Sequence, residues 1–169
     1  MPPVRVYLGL GSNLGRREAH LQRGLEGLRD KGVAVAALSA VYETEPVGGP
    51  PQGPYLNLAA AADTVLGPET LLQAVLELEA AAGRRREARN APRTLDVDVL
   101  FYGDLVRSEA SLTLPHPRLH ERRFVLLPLS EIAPGLRHPL LGLTVAEMLA
   151  RCRDHSSVRI WPGSLAARR

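Results

Sequence analysis

An α+β sandwich, helices packed on the faces of an antiparallel or mixed sheet, is the fold this sequence predicts. Three observations carry it. Strand-period and helix-period segments alternate from Val4 onward, 45% of the 169 residues are hydrophobic, and neither an internal repeat nor a low-complexity linker interrupts the pattern. That length suits a single domain over residues 1–163, with residues 164–169 expected to fray.

Val4, Val6, Leu8 and Leu10 occupy alternate positions and mark the first strand, which Gly11-Ser12-Asn13 should end. Leu14, Leu21, Leu25 and Leu28 are spaced seven, four and three apart, so they predict one face of a helix that stops near Gly32. Residues 33–42, rich in Val and Ala, read as extended, although the alanines suit a helix equally well. Across 43–54 lie four prolines and three glycines, which exclude regular structure and predict a long loop of the kind that carries function. Residues 55–62 read as a strand. Gly67-Pro68-Glu69 then opens a helix, with proline at its first position and an acid at its positive end, and Gly83 closes it.

The clearest strand is 95–101, which should set Leu95, Val97, Val99 and Phe101 on one face and Asp96, Asp98 and Leu100 on the other. Gly103-Asp104 predicts a hairpin turn into Leu105-Val106. Two short helices at 124–132 and 144–152 and a last strand at 158–161 complete the chain.

Composition narrows the function. No run of about 18 apolar residues occurs, and Met1-Pro2-Pro3 leads straight into a strand pattern, so neither membrane insertion nor secretion is expected. Cys152 is the single cysteine, which excludes an internal disulfide and a cysteine-built zinc site and suits a reducing, cytoplasmic setting. The formal charge is only +3, but arginines crowd at 84, 85, 86, 89 and 93 and again at 118, 122 and 123, two regions able to attract a polyanion. There is no G-x-x-x-x-G-K-[ST] loop, and Gly9-Leu10-Gly11-Ser12-Asn13-Leu14 lacks the third glycine of a dinucleotide fingerprint.

The chemistry concentrates around Asp96 and Asp98. Residues two apart on a strand lie about 6.5–7 Å apart on one side, so both carboxylates can converge on a divalent ion. Aspartate is disfavoured in strands, which weighs against two idle, solvated acids within three residues. Hard oxygens with no sulfur nearby select magnesium. Cations beside a metal imply phosphate, whose transfer needs charge neutralisation and in-line positioning, and guanidinium groups supply forked donors for its oxygens.

A second constellation runs from Thr113 through His116 to Arg122 and Phe124. His116 and His120 have the spacing of a helical zinc site, but prolines on both sides of His116 argue against a helix there and against zinc. Aromatic residues are only 4% of the chain, so Tyr55 beside the Pro/Gly loop and Phe124 after the second basic run stand out as two rings able to sandwich a flat heterocycle. Asn57 should project on the same side as Tyr55, with an amide to read such a ring. Taken singly, Phe124 opens a helix rich in Leu and Val and would more often be core.

At these residues the chain resembles the 6-hydroxymethyl-7,8-dihydropterin pyrophosphokinases. Gly11-Ser12-Asn13-Leu14, Tyr55-Leu56-Asn57, Gly83-Arg84, Pro92-Arg93-Thr94-Leu95-Asp96-Val97-Asp98, and Pro115-His116 with Arg122 and Phe124 occur in that family's order and approximate spacing. The resemblance implies a ferredoxin-like fold and transfer of pyrophosphate from ATP to the pterin hydroxymethyl in tetrahydrofolate biosynthesis, with release of AMP. It implies two magnesium ions held by Asp96 and Asp98, and Arg84 and Arg93 as groups that stabilise charge during transfer. His116 and Arg122 would clamp the triphosphate, with Glu79, Arg86, Val99 and Thr113 also on the ATP side. Tyr55 and Phe124 would stack the pterin, and Asn57, Thr44 and Val47 would read its edge. The loops at 43–54 and 84–92 are those expected to close over the substrates. A monomer with no nucleic-acid or membrane partner is expected.

Two rivals remain open on the sequence. A different magnesium-dependent phosphoryl transferase would share the acids and arginines and yield ADP. An RNA-binding module would need aromatic pairs where the strand at 95–101 instead presents acids.

Overall fold

The computed structural model describes residues 2–46, 49–83, 94–163 and Leu165. Its first part runs β1 (Val4–Ser12), α1 (Arg17–Asp30), β2 (Val33–Leu38), β3 (Tyr42–Thr44), β4 (Tyr55–Thr64), α2 (Pro68–Ala81) and β5 (Asp96–Tyr102). These strands pair antiparallel in the order β5-β1-β4-β3, and β2 joins the same edge of β4 as β3. With β2 and β3 taken as one interrupted strand, this is the β-α-β-β-α-β weave of a ferredoxin-like sandwich. Then follow a small hairpin, β6 (Arg107–Ser108) with β7 (Thr113–Leu114), a 3-10 turn at Leu119–Glu121, α3 (Arg123–Ile132), α4 (Val145–Arg151) and β8 (Val158–Ile160). The last strand pairs with β3 and forms the outer edge of the sheet.

Alternation along the strands divides the core. Val6, Leu8 and Leu10 of β1, Leu56 and Leu58 of β4, and Val97 and Val99 of β5 pack against Leu21, Leu25 and Leu28 of α1 and Leu71 and Val75 of α2. The opposite face is covered only in part, where Ala59, Leu100 and Phe101 meet Val125, Leu126 and Leu129 of α3 and Val145 and Met148 of α4. The rest of that face carries Gly9 and Gly11 of β1, with Asn57 beside Gly11 and Asp98 and Asp96 on its other flank. Small residues on a central strand leave a recess bounded by polar side chains.

Several helix ends follow from local chemistry. Pro68 starts α2 and Gly83, at φ +84°, follows its last turn. In α4, Thr144 and Glu147 form a reciprocal capping box. No cap comes from α3's own Arg122; instead Asp154 accepts the Arg123 N–H at 3.0 Å. Burial pushes the Asp154 carboxyl up, but its bonds to Ser156 and to the Arg123 amide outweigh that and hold it below the ordinary range. At its other end α3 is tied to the β2–β3 junction through Glu131, which accepts from the Tyr42 hydroxyl at 2.7 Å and from the Ala40 N–H at 3.0 and 3.1 Å. Burial and then Glu131 raise the Tyr42 phenol to about 12.

The structure departs from the sequence expectations at five places. Gly11 and Ser12 extend β1 because both pair with β4. Leu14 lies before α1, 41% exposed, and takes no part in its buried face. Residues 39–41 break the strand expected over 33–42, and there Ser39 takes over part of the pairing, its Oγ accepting the Ala59 N–H at 2.9 Å. Gly103 does turn the chain, with Leu105 N–H donating to the Tyr102 carbonyl at 3.0 Å. Leu105 and Val106 do not pair back on β5, because β5's outer edge is taken: His116 N–H donates to the Leu100 carbonyl at 2.9 Å.

The fifth departure is a β-bulge. Leu8 faces Val99 while Tyr7 faces Phe101, so Leu100 is the extra residue and Phe101 turns to Leu100's side of the sheet. There its ring sits edge-on to Tyr7, with centroids 6.2 Å apart, and to His138 at 5.8 Å. Of the tail expected to fray, only Leu165 is described, and it is buried as a member of the larger core cluster; residues 164 and 166–169 lie outside the described residues.

Candidate functional site

The exposed half of the second sheet face opens into a cleft of about 240 Å³ lined by Thr44, Tyr55, Asn57, Asp96, Arg122 and Phe124, together with Glu45, Pro46, Gln52, Arg118 and Glu121. Tyr55 comes from the start of β4 and Phe124 from the first turn of α3, so the two rings reach one space from different layers. Arg122 lies 5.8 Å from the centre of the Phe124 ring, a cation–π distance.

Asn57 is buried, and its Nδ2 donates to the Thr44 Oγ at 2.7 Å. That bond uses one amide proton and turns Oδ1 toward β1. A Cβ at Gly11 would stand 2.4 Å from Oδ1 and 3.5 Å from the Tyr55 ring, so glycine at 11 is a requirement of close approach. The Pro/Gly loop is tied down on the same side. Asn13 donates to Gln52 Oε1 at 2.7 Å and to the Gly53 carbonyl at 3.1 Å, while Arg17 bridges Glu43 at 2.9 Å and the Pro54 carbonyl at 3.0 Å.

A second, wider cleft of about 440 Å³ follows the outer edge of β5. Asp96, Asp98, Glu79, Thr113, His116, Arg118 and Arg122 line it together with Val97, Val99 and the aliphatic flank of α2. The Val99 side chain is buried in the core, so its backbone is what it offers there. Glu79 is 4% exposed and accepts the Val97 N–H at 2.8 Å. The Thr113 hydroxyl donates to the Glu109 carbonyl at 3.1 Å.

Burial, reinforced by Arg122 and Arg118 and opposed by Asp96, drives the His116 imidazole down to about 4. The ring is therefore neutral near pH 7. Its Nδ1 accepts the Arg118 N–H at 3.3 Å, which assigns the remaining proton to Nε2 as a donor.

Asp96, Arg118 and Arg122 line both clefts, and Asp98 joins Asp96 in the narrow gap between Phe124 and the glycine floor. The two acids thus share one side of β5, as the strand period requires. Their donor set is hard oxygen, which fits magnesium; Cys152 is at the far end of α4. Among the predicted site residues, Arg84, Arg86, Arg93 and Val47 lie outside the described residues. Arg118, Gln52, Glu45 and Glu121 line the clefts without having been singled out as ligands. Arg118 was legible as a member of the second basic run, while the others needed the loop's path.

The fold defines the class first: a ferredoxin-like α+β sandwich of the kind seen in the crystal structure of Plasmodium falciparum HPPK-DHPS, with a TM-score of 0.69 over 88% of this chain at 15% identity. The chain spans 44% of that Plasmodium chain, and at such identity the likeness carries the fold alone. Sequence relatives carry more. A 2-amino-4-hydroxy-6-hydroxymethyldihydropteridine pyrophosphokinase of Methylorubrum extorquens is 49% identical over 88% of this chain and 93% of its own length. The Bacillus subtilis protein of the same name is 39% identical over 92% and 89%. The folic acid synthesis protein fol1 of Pneumocystis carinii is 37% identical over 93% of this chain, which spans 21% of that protein. The profile of the 7,8-dihydro-6-hydroxymethylpterin-pyrophosphokinase family matches residues 7–134, and the chain belongs to that family.

Proposed function

We infer that this protein transfers pyrophosphate from ATP to the hydroxymethyl group of 6-hydroxymethyl-7,8-dihydropterin, releasing AMP, in tetrahydrofolate biosynthesis. The observation that carries the reading at residue level is the junction: a ring-sized cleft and a nucleotide-sized one meet at Asp96, Arg118 and Arg122.

On the ring side, Tyr55 and Phe124 stack the pterin, Asn57 Oδ1 accepts from its ring N–H groups, and Thr44 and the backbone near Val47 complete the edge contacts. The reacting hydroxyl then lies toward Asp96. On the nucleotide side, Val99 and Thr113 border the ATP, Glu79 stands in the cleft wall with its carboxylate on the Val97 N–H, and His116 Nε2 and Arg122 hold the triphosphate, with Arg86 as a further contact. The hydroxyl oxygen bonds to the β-phosphorus as the bond from that phosphorus to the oxygen bridging it to the α-phosphate breaks; AMP departs with that oxygen, and the hydroxyl proton is released to solvent. Arg84 and Arg93 neutralise the charge that builds on the phosphoryl oxygens. Asp96 and Asp98 would hold magnesium, two ions in this reading, and the metal would supply positive charge to offset that of the phosphates. The burial of the Asn57–Thr44 pair and the neutral state of His116 support this division of labour, because each leaves a defined donor or acceptor facing a cleft.

The reading includes a cytoplasmic, monomeric, single-domain enzyme over residues 1–163. Among the described residues no helix is long and apolar enough to cross a membrane. Incubation with ATP, magnesium and the pterin, with the adenine nucleotides separated afterwards, tests the function: AMP must accumulate in step with pterin consumption, and accumulation of ADP instead would sink it.

A further inference from the structure

Among the described residues β5 is the outermost strand on its side of the sheet, so alternate main-chain N–H groups face away from β1 with no described strand to receive them. At Val97 the acceptor is Glu79 of α2, through Oε2 at 2.8 Å. This carboxylate is 4% exposed on a helix face that otherwise contributes Leu71, Val75 and Leu72 to the core. Burying a carboxylate is unfavourable unless its hydrogen bonds compensate, so packing alone gives no reason for an acid here.

Val97 sits between Asp96 and Asp98, and its own side chain is anchored in the core on the opposite side of the strand. The Glu79 bond acts perpendicular to that anchor. Together they fix how far β5 stands from α2 and how it is rolled about its axis. That roll decides where both aspartates face.

We propose that Glu79 is a positioning residue: through the Val97 N–H it sets the orientation of β5 and with it the shared direction of Asp96 and Asp98. The inference rests on the reading of those aspartates as the magnesium-holding pair. It distinguishes an acid that works through the backbone from one that touches metal or nucleotide.

Two substitutions separate these roles. Glu79→Gln keeps an oxygen at the acceptor position and removes the charge, whereas Glu79→Leu keeps the bulk and removes the acceptor. Turnover of Glu79→Gln should stay within about 3-fold of the parent, with slow hydrogen exchange retained at the Val97 amide. In Glu79→Leu, kcat should fall by about 10²-fold, the loss typical of a reacting constellation displaced by about 1 Å, while the pterin KM changes less than about 3-fold. The magnesium concentration for half-maximal nucleotide binding, measured by calorimetry, should rise about 10-fold in the leucine variant and stay unchanged in the glutamine variant.

A glutamine variant that keeps Val97 protected yet loses turnover by 10-fold or more, on the order of a lost charged contact, overturns the proposal, because the carboxylate's charge, and not its hold on Val97, would then be what turnover needs. That arm decides even where Glu79→Leu does not fold. A leucine variant with parental kcat and magnesium midpoint overturns it too, whatever its melting temperature. Parental protein whose nucleotide affinity ignores magnesium strikes the aspartate reading directly, and with it this inference, by a signal independent of both variants.

Discussion

On the ring side of Asp96 the cleft wall is cross-braced, whereas on the nucleotide side it is the open flank of a strand. Asn57 bonds Thr44 across two strands, Asn13 and Arg17 bond the loop that follows β3, and the floor is backbone exposed by Gly9 and Gly11. The other wall depends on β5, which among the described residues has one strand neighbour and is held on its other side by Glu79 and by the His116 backbone. Its cations, Arg118 and Arg122, are long side chains. The contrast suits the two ligands: a rigid bicycle is recognised by a preformed slot, and a flexible triphosphate by charges that can follow it.

The largest effect should come from the acids at the junction. Asp96→Ala and Asp98→Ala are each expected to lower kcat by about 10³-fold or more, the scale seen when a charge-stabilising group is removed from a reacting centre, with an unchanged circular dichroism spectrum. Normal turnover in either variant would break the reading that both acids serve the nucleotide side. Gly11→Ala comes next and sharpens the comparison from the other direction. Its Cβ would force Asn57 aside, and overpacking of about 1–3 kcal/mol corresponds to a rise of roughly 5- to 150-fold in pterin KM, with magnesium-dependent nucleotide binding left intact. If calorimetry finds both affinities weakened alike, the two walls are not independent.

The smallest expected effect lies away from both clefts. His138 is buried against Phe101, and its Nδ1 accepts the N–H groups of Leu140 and Leu141, each at 3.1 Å. Burial, followed by His120, lowers its pKa from 6.5. With the folded value below the unfolded one, the stability this group contributes is complete above 6.5 and is lost as pH falls through the folded value. Melting temperature should therefore drop more steeply between about pH 7 and pH 5 in the parent than in His138→Gln, while kinetics at pH 7 stay the same. Parallel melting curves would show that the histidine titrates alike folded and unfolded.

Much of this arrangement is written in local pattern. Alternation from Val4 to Leu10, the proline at 68 and the glycine at 83 each act within a turn or two, so strand and helix were readable where they occur. Asp96 and Asp98 were readable for the same reason, since a two-residue period needs no partner to be recognised. What escaped is set by contacts distant in sequence. The bulge at Leu100 depends on how β1 pairs, and it moved Phe101 to the other face. Glu79 and Val97 are 18 positions apart, so their hydrogen bond leaves no mark in local pattern. Glycine at 11 looks like a strand terminator, yet β1 continues through it and the missing Cβ is Asn57's space. Whether Phe124 was core or cleft turned on α3's first residue being capped from Asp154, 31 positions away.

The guarded flank of β5 also bears on the protein's behaviour in concentrated solution. An outer strand with vacant donors and acceptors invites a second molecule to add its own strand, the first step toward insoluble assemblies. Glu79 occupies one donor of β5, the turn at His116 occupies one acceptor, and two carboxylates stand on the strand's open face. Groups proposed to serve phosphate chemistry would thus double as protection against self-association.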